Sequence, residues 1–327
     1  QMGDFYETFD DDAQLVSREL EIALTSREMG NGHRIPLAGI PCHALETYLS
    51  RLIRKGYKVA ICDQTSDPAV SRGLVDREVV RVVTPGTVVE ESILQKNANN
   101  YLVAVFVAGE DVGVAYADIT TGEFATSQFH VSKLPVELAR LDPSEILTSQ
   151  DQIQLSVDNG SMVTLTDPEI FDFEWGTELL LKHFGVVSLE AYGCAQFPLA
   201  VRSSGAIVEY LGRNHKVSLS QLTSLRTYSV SSFMVLDSQT RRNLDLFEGA
   251  RSSNSKTSLL SVLDHTCTPM GGRLLKKWLG QPLLNLEEIY RRQEAVTWVN
   301  SSALRRSSLV SLLKSEVYFN VSTGLLF

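Results

Sequence analysis

The sequence lacks the features that mark membrane, secreted and zinc-stabilised proteins. It contains no run of about 18 or more apolar residues, so no transmembrane helix is predicted. No basic segment followed by an apolar stretch opens the chain, as a secretory signal would. The cysteines are far apart, without CxxC or Cys/His spacing, which argues against a zinc site and a disulfide framework. We therefore expect reduced thiols in a cytoplasmic protein with no membrane partner.

Motifs for self-contained catalysis are also missing. No Gly-x-x-x-x-Gly-Lys-Ser/Thr run is present to bind a nucleotide phosphate, and no Gly-x-Ser-x-Gly run is present to hold a serine nucleophile. The six histidines are scattered without metal-ligand spacing. We predict no catalytic residues, no metal site and no cofactor within this chain.

Charge is distributed very unevenly along the 327 residues. Residues 1–96 carry 11 basic and 15 acidic side chains (net −4), residues 97–215 carry 5 and 16 (net −11), and residues 216–327 carry 14 and 8 (net +6). The middle third is a poor candidate for contact with a polyanion, since like charges repel.

The apolar pattern predicts a multidomain protein with boundaries at the same places. Residues 1–96 mix short helices and strands, which is typical of a small mixed α/β domain. Residues 97–215 read as three consecutive strands followed by alternating helices and strands, which indicates a sheet flanked by helices, and an RNase H-like domain is one such arrangement. Residues 216–327 have a helical pattern throughout.

Helix starts in this last segment are signalled by capping residues. Asp237 is expected to cap a helix that runs through Phe247, because Asp side chains accept hydrogen bonds from the first free backbone N–H groups. Thr268 followed by Pro269 marks a second helix start, and Asn285 marks a third.

The first residues offer two opposed interpretations. In an extended segment alternate side chains share a face, so Phe5 and Glu7 would point one way and Tyr6 the other. Phe5, Glu7 and Phe9 could form the buried face of a first strand, since buried aromatics are ordinary core material. Alternatively, the ring of Phe5 and the carboxylate of Glu7 would be presented side by side to a ligand.

Two further functions remain open on the residues alone. Asp118 lies on a predicted strand where an RNase H-like nuclease could place a metal carboxylate, with Glu145 as a weaker second candidate. The acidic middle segment could instead make the chain a protein-interaction scaffold.

Several long segments in the first and third domains carry motifs in a fixed order. They are Gly3-Asp-Phe-Tyr-Glu7, Ile35-Pro-Leu-Ala-Gly-Ile-Pro41, Val59-Ala-Ile-Cys-Asp-Gln64, Arg77-x-Val-Val-Arg-Val-Val-Thr-Pro-Gly-Thr87, Leu236-Asp-x-x-Thr-Arg-Arg-Asn-Leu244 and Leu263-Asp-x-Thr-x-Thr-Pro-Met-Gly-Gly-Arg-x-Leu275. In order and spacing these segments resemble the DNA mismatch-repair MutS family. The resemblance weakens after about Ala303.

The resemblance implies a mismatch-recognition domain, a non-catalytic RNase H-like connector and part of a helical core domain. It implies that Phe5 wedges beside a mispaired base while Glu7 hydrogen-bonds to that base. It also implies that Arg27 and Arg77 contact the DNA backbone.

Partners and cofactors follow from the same resemblance. It implies mismatched double-stranded DNA, a MutL-type protein and a second MutS subunit as partners, in the cytoplasm with the bacterial nucleoid. ATP and magnesium would be used by an ATPase domain outside this sequence.

Overall fold

The computed structural model describes residues 1–28, 34–64, 76–90, 92–94, 98–149, 161–214, 219–247 and 257–323, with side chains described through residue 315. The chain folds into two compact units. The first contains residues 1–94, 100–128 and 143–227, and the second contains residues 95–99, 129–142 and 228–327.

The first unit opens with a small antiparallel sheet. Its strands are β1 (Phe5–Phe9), β2 (Thr25–Glu28) and β3 (Arg34–Pro41), and β3 lies in the centre. Two helices, α1 (Asp10–Leu20) and α2 (Leu45–Arg54), supply apolar residues to the clusters beneath it. A separate antiparallel pair follows, formed by β4 (Val59–Gln64) and β5 (Arg77–Val83).

The start and end of α1 follow from local chemistry. Its first turn consists of three aspartates, whose charge suits the positive end of the helix dipole. The helix buries Ala13 and Leu20, and it stops at Glu21, which adopts a left-handed conformation with φ of 58°. The chain therefore turns back and enters β2 beside β3.

A six-stranded sheet forms the larger part of the first unit. Its order is β10-β9-β6-β7-β8-β11. Its strands are β6 (Leu102–Ala108), β7 (Asp111–Asp118), β8 (Glu123–His130), β9 (Glu145–Ser149), β10 (Met162–Thr166) and β11 (Arg226–Thr227). The β6–β7 pair is antiparallel, whereas the β6–β9, β9–β10 and β8–β11 pairs are parallel.

Two helices, α4 (Phe173–Phe184) and α5 (Pro198–Asn214), pack on this sheet and enclose an extensive apolar core with it. They meet at a pair of glycines. A methyl group on Gly205 would lie 2.4 Å from the Cα atom of Gly176, a distance that backbone atoms cannot tolerate. Glycine at position 205 is therefore required for the observed separation of the two helices, whereas a methyl group on Gly176 would make only ordinary contacts, at 3.5 Å.

The described part of the second unit is mainly helical. Its helices are α3 (Leu134–Leu141), α6 (Ser238–Asn243), α7 (Leu259–Leu263), α8 (Pro269–Gly280), α9 (Leu286–Asn300) and α10 (Ala303–Thr323). Within the described part of the chain, every helix is too short or too polar to cross a bilayer.

The predicted helix caps in this unit are confirmed. The side chains of Asp237, Thr268 and Asn285 accept hydrogen bonds from Thr240, Gly271 and Glu288 N–H groups, respectively. The predicted length of the first of these helices is wrong. It ends at Asn243, because Asp245 adopts a left-handed conformation with φ of 48° that a helix cannot contain.

Candidate nucleic-acid interface

The outer edge of the first sheet is built on the alternation of side chains along β1. Tyr6 points inward and packs against both apolar clusters beneath the sheet. Its hydroxyl donates a 2.7 Å hydrogen bond to Oδ1 of Asp63 in β4. Burial, reinforced by that bond, raises the pKa of Tyr6 to about 12. Of the two interpretations of this strand, the structure therefore supports the one in which Tyr6, and not Phe5, faces the core.

Phe5 lies on the opposite side of β1 from Tyr6. It pairs with Pro41 at the end of β3, and 46% of its surface is exposed. The interpretation that places Phe5 in the core is therefore wrong. A half-exposed phenylalanine on a well-anchored strand is a surface that a flat apolar ligand can stack against.

Gly39 lies opposite Glu7 on β3 and leaves room for both neighbouring side chains. A methyl group added at Gly39 would lie 3.5 Å from Cγ of Glu7 and 3.6 Å from Cδ1 of Phe5. The ring and the carboxylate therefore lie side by side above the same glycine. Nothing in the sequence alone marks Gly39, because its role depends on the register between β1 and β3.

Glu7 is mostly enclosed, yet its carboxylate accepts no hydrogen bond from the described residues. Its side chain is 18% exposed, and atom Oε2 is buried without a hydrogen-bond partner. The nearest cation is Arg27 of β2, whose Nη1 lies 3.6 Å from that oxygen. Oε2 is therefore compensated by the charge of Arg27 rather than by a hydrogen bond, and Oε1 keeps its capacity to accept a hydrogen bond from a ligand.

The two arginines predicted to contact DNA have different surroundings. The Arg27 side chain is half exposed and reaches toward Glu7. Arg77, at the start of β5, donates a 3.1 Å hydrogen bond from Nε to the backbone oxygen of Gln1, which also accepts from the Gln64 amide. The structure thus brings Arg27 to Glu7, whereas Arg77 holds the backbone that precedes β1.

Comparison with known proteins identifies the family. Sequence models of MutS domain I, MutS domain II and MutS domain III match residues 1–92, 100–223 and 239–322, respectively. The chain belongs to the MutS family. The match to domain III extends to residue 322, so the expectation that the resemblance weakens after Ala303 is wrong.

Curated MutS relatives agree over nearly the whole chain. The DNA mismatch repair protein MutS of Dehalococcoides mccartyi (strain ATCC BAA-2266 / KCTC 15142 / 195) is 48% identical over 96% of this chain and 37% of its own length. The protein of the same name from Synechococcus elongatus is 45% identical over 96% of this chain and 38% of its own. That of Methanococcoides burtonii is 43% identical over 96% and 36%. The chain thus spans a little over a third of the length of these relatives.

The predicted interface residues all fall within MutS domain I. Phe5, Glu7, Arg27 and Arg77 lie inside the match to residues 1–92. Phe5, Glu7 and Arg27 come from the two outer strands of one sheet, and Arg77 comes from the neighbouring strand pair. The match to MutS domain I therefore includes both the half-exposed ring of Phe5 and the carboxylate of Glu7.

The part that matches MutS domain II contains both carboxylates of the nuclease alternative, but it does not bring them together. Ala117 and Glu145 both pair with Leu102, so these three side chains share a face of the sheet. Asp118 follows Ala117 directly and therefore points to the other face. In the described residues, no group of three or more His, Cys, Asp or Glu side chains is arranged to hold a metal ion.

Both of these carboxylates are also occupied by protein donors. Asp118 accepts bonds from the Asn100 N–H and from the N–H and hydroxyl of Thr120, at 3.2, 2.9 and 2.6 Å. Glu145 is fully buried, and it accepts bonds from Thr84, Gly86, Thr164 and Tyr210. Their geometry is that of structural side chains, and it lends no support to the nuclease alternative.

Proposed function

We propose that this chain recognises mispaired bases in double-stranded DNA through the outer face of β1. Phe5 inserts as a wedge beside the mispaired base, and Glu7 accepts a hydrogen bond from that base. The observation that carries this proposal is the pairing of a half-exposed aromatic ring with a carboxylate that accepts no hydrogen bond from the described residues.

The energetics of base stacking favour insertion of an aromatic ring at a mismatch. Inserting a side chain between base pairs costs a few kcal/mol of unstacking, and the cost is smaller where a mismatch has already weakened the stack. Stacking of an aromatic ring on a base returns roughly 1–3 kcal/mol. The net gain is therefore larger at a mismatch than in a matched duplex, and the ring reads deformability rather than base identity.

Glu7 adds a second means of distinguishing mismatched from matched DNA. A carboxylate beside the phosphate backbone is unfavourable unless it accepts a hydrogen bond from a base. A mispaired base offers donors that a matched pair has already used. Glu7 therefore sharpens discrimination more than it raises affinity, while Arg27 and Arg77 supply contacts to the DNA backbone.

The remaining domains have supporting roles in this proposal. Residues 1–96 form the mismatch-recognition domain, residues 97–215 a non-catalytic RNase H-like connector, and residues 216–327 part of a helical core. The order β8-β7-β6-β9-β10, with antiparallel and then parallel neighbours, supports the RNase H-like assignment of the connector. The acidic surface of the connector suits docking of a MutL-type partner.

The activity of a complete protein would depend on sequence outside this chain. The 327 residues of this chain contain no phosphate-binding loop, so they do not fit an ATP or magnesium site. We assign neither cofactor to them. ATP hydrolysis with magnesium and pairing with a second MutS subunit belong, in this proposal, to the remaining length that the relatives possess. The protein would act in the cytoplasm at the nucleoid.

The test is substitution of Phe5 in the full-length protein. Binding is measured by fluorescence anisotropy to two 30-base-pair probes that differ only in one G·T or G·C pair. Phe5→Ala should reduce the mismatch preference about 5- to 150-fold, the equivalent of roughly 1–3 kcal/mol of lost stacking.

The matched control is Phe197→Ala. Phe197 is also a partly exposed phenylalanine, at 39%, but it lies in the part that matches MutS domain II. Its removal should leave both affinities unchanged. Retention of full mismatch preference by Phe5→Ala would rule out the wedge.

A further inference from the structure

The ion pair between Glu7 and Arg27 joins the two outer strands of the first sheet. Arg27 pairs with Ile35, and Glu7 pairs with Gly39, so the two side chains approach each other diagonally across β3. Their closest approach is the 3.6 Å between Nη1 of Arg27 and Oε2 of Glu7. This distance is too long for a good hydrogen bond, but it is close enough for a strong electrostatic preference in a partly enclosed place.

The two oxygens of Glu7 have different surroundings. Oε2 is the buried oxygen, and it faces the arginine. The arginine charge therefore favours the side-chain orientation in which Oε2 turns inward, and the other oxygen, Oε1, is left for a ligand beside the Phe5 ring. Gly39 lies opposite Glu7 and places no side chain against it, so this side of the Glu7 side chain is not crowded.

We propose that Arg27 is a positioning residue that aims the Glu7 carboxylate at the mispaired base, and so determines specificity as well as affinity. This inference rests on the proposed function of Phe5 and Glu7. It assigns to Arg27 a task that differs from a contact with the DNA backbone.

A phosphate contact by Arg27 and positioning of Glu7 by Arg27 predict different effects of an Arg27 substitution on DNA binding. A phosphate contact adds the same free energy on every duplex, so its loss weakens matched and mismatched DNA equally and reduces the salt dependence of binding. A residue that acts through Glu7 changes the ratio of the two affinities, and its effect requires Glu7 to be present. Only the second pattern makes Arg27 part of the reading of the mismatch.

A double-mutant cycle in the full-length protein separates them. The variants are Arg27→Gln, Glu7→Gln and the two combined, measured on the G·T and G·C probes described above. Arg27→Gln should lower the mismatch preference at least about threefold on its own. In the Glu7→Gln background the same substitution should change that preference by less than about twofold, because the group through which it acts is already gone.

Two further variants control for charge and for folding. Arg34→Gln removes the same charge from the same sheet, but Arg34 is bonded to Ser26 rather than to Glu7. It should leave the preference unchanged. Arg27→Lys retains the cation and should recover at least half of the lost preference, which simple unfolding would not allow. Thermal midpoints of all variants are measured alongside.

The inference is overturned if Arg27→Gln weakens both duplexes by one common factor. It is equally overturned if the loss of preference is the same size with and without Glu7. Phe5→Ala, measured in the same series, distinguishes failure of the proposed function from failure of the role of Arg27. Full mismatch preference in Phe5→Ala contradicts the proposed function itself, whereas loss of preference there together with an unchanged ratio in Arg27→Gln contradicts the role of Arg27 alone.

Discussion

Glu7 and Glu145 are both enclosed carboxylates in the first unit, but their surroundings are opposite. Glu145 is completely buried, and both of its oxygens accept hydrogen bonds, from Thr164 and Tyr210 on one side and from Thr84 and Gly86 on the other. Glu7 accepts no hydrogen bond from the described residues.

The difference shows how one side-chain type performs two tasks. A buried carboxylate that is fully bonded holds its neighbours together and has nothing left to offer a ligand. The donors to Glu145 come from the parts that match MutS domains I and II, so its bonds join two domain matches within one unit. A carboxylate without donors adds little to stability and keeps its bonding capacity for a partner. Substitution of Glu145 should therefore lower stability, whereas substitution of Glu7 should change recognition of DNA and leave stability nearly unchanged.

The largest expected effect on stability is that of Glu145→Ala. Removal of the carboxylate leaves the donors from Thr84, Gly86, Thr164 and Tyr210 without an acceptor in a buried place. It also removes the acidic partner of Lys58, whose Nζ lies 3.9 Å from Oε1 of Glu145. We expect a loss of about 3–5 kcal/mol in the free energy of unfolding, measured by urea denaturation and circular dichroism.

The control for this prediction is Glu288→Ala, which breaks a surface ion pair with Arg291. Such pairs contribute little, so the loss should stay below about 1 kcal/mol. If the two substitutions cost the same, the bonds of Glu145 are not what holds this region together.

A smaller effect is expected for Tyr6→Phe. The substitution keeps the packing of the ring and deletes the hydroxyl that donates to Asp63. Loss of one partly buried hydrogen bond should cost about 1 kcal/mol at neutral pH, measured by the same urea denaturation.

The pH dependence of Tyr6→Phe has a definite sign. Burial and Asp63 raise the pKa of Tyr6 to about 12, so the folded protein favours the protonated phenol. This stabilisation is complete below the usual tyrosine pKa of about 10, and it is lost as the pH rises from there through 12. The stability difference between the natural protein and Tyr6→Phe should therefore shrink between pH 10 and 12. A constant difference over this range would contradict a raised pKa of the Tyr6 hydroxyl in the folded protein.

The smallest effect on stability is expected for Glu7→Gln. Its carboxylate accepts no hydrogen bond from the described residues, so the free energy of unfolding should change by less than about 0.5 kcal/mol. Its effect on binding should be large by contrast. Affinity for matched DNA should rise, because a negative charge near the phosphates is removed, and mismatch preference should fall. A destabilisation comparable to that of Glu145→Ala would contradict the distinction between the two carboxylates.

Local features of the fold could be predicted from the sequence, because they depend on neighbouring residues. The caps at Asp237, Thr268 and Asn285 need only a side-chain acceptor next to free N–H groups, and all three are present. The opposite orientations of Phe5 and Tyr6 follow from the strand period. The end of that helix at Asn243 could not be predicted, since nothing in the local composition signals the left-handed turn at Asp245.

The candidate site required information that spacing does not contain. Whether Phe5 faces the core or the solvent depends on what covers the outer side of β1, and periodicity is the same in both cases. The resemblance to the MutS family implies an accessible ring at Phe5, and its 46% exposure is consistent with that implication. The approach of Arg27 to Glu7 depends on β3 lying between their strands, an order that could not be read from the chain.

The glycine contact between α4 and α5 also bears on local unfolding of the first unit. Because Gly176 and Gly205 place two backbones in direct contact, neither helix can move outward without exposing the apolar surface that both share with the sheet. Amide protons of α5 should therefore exchange with solvent only in openings that release α4 as well. α4 and α5 would therefore open together as one cooperative unit, and fraying of either helix alone would not extend to the contact between them.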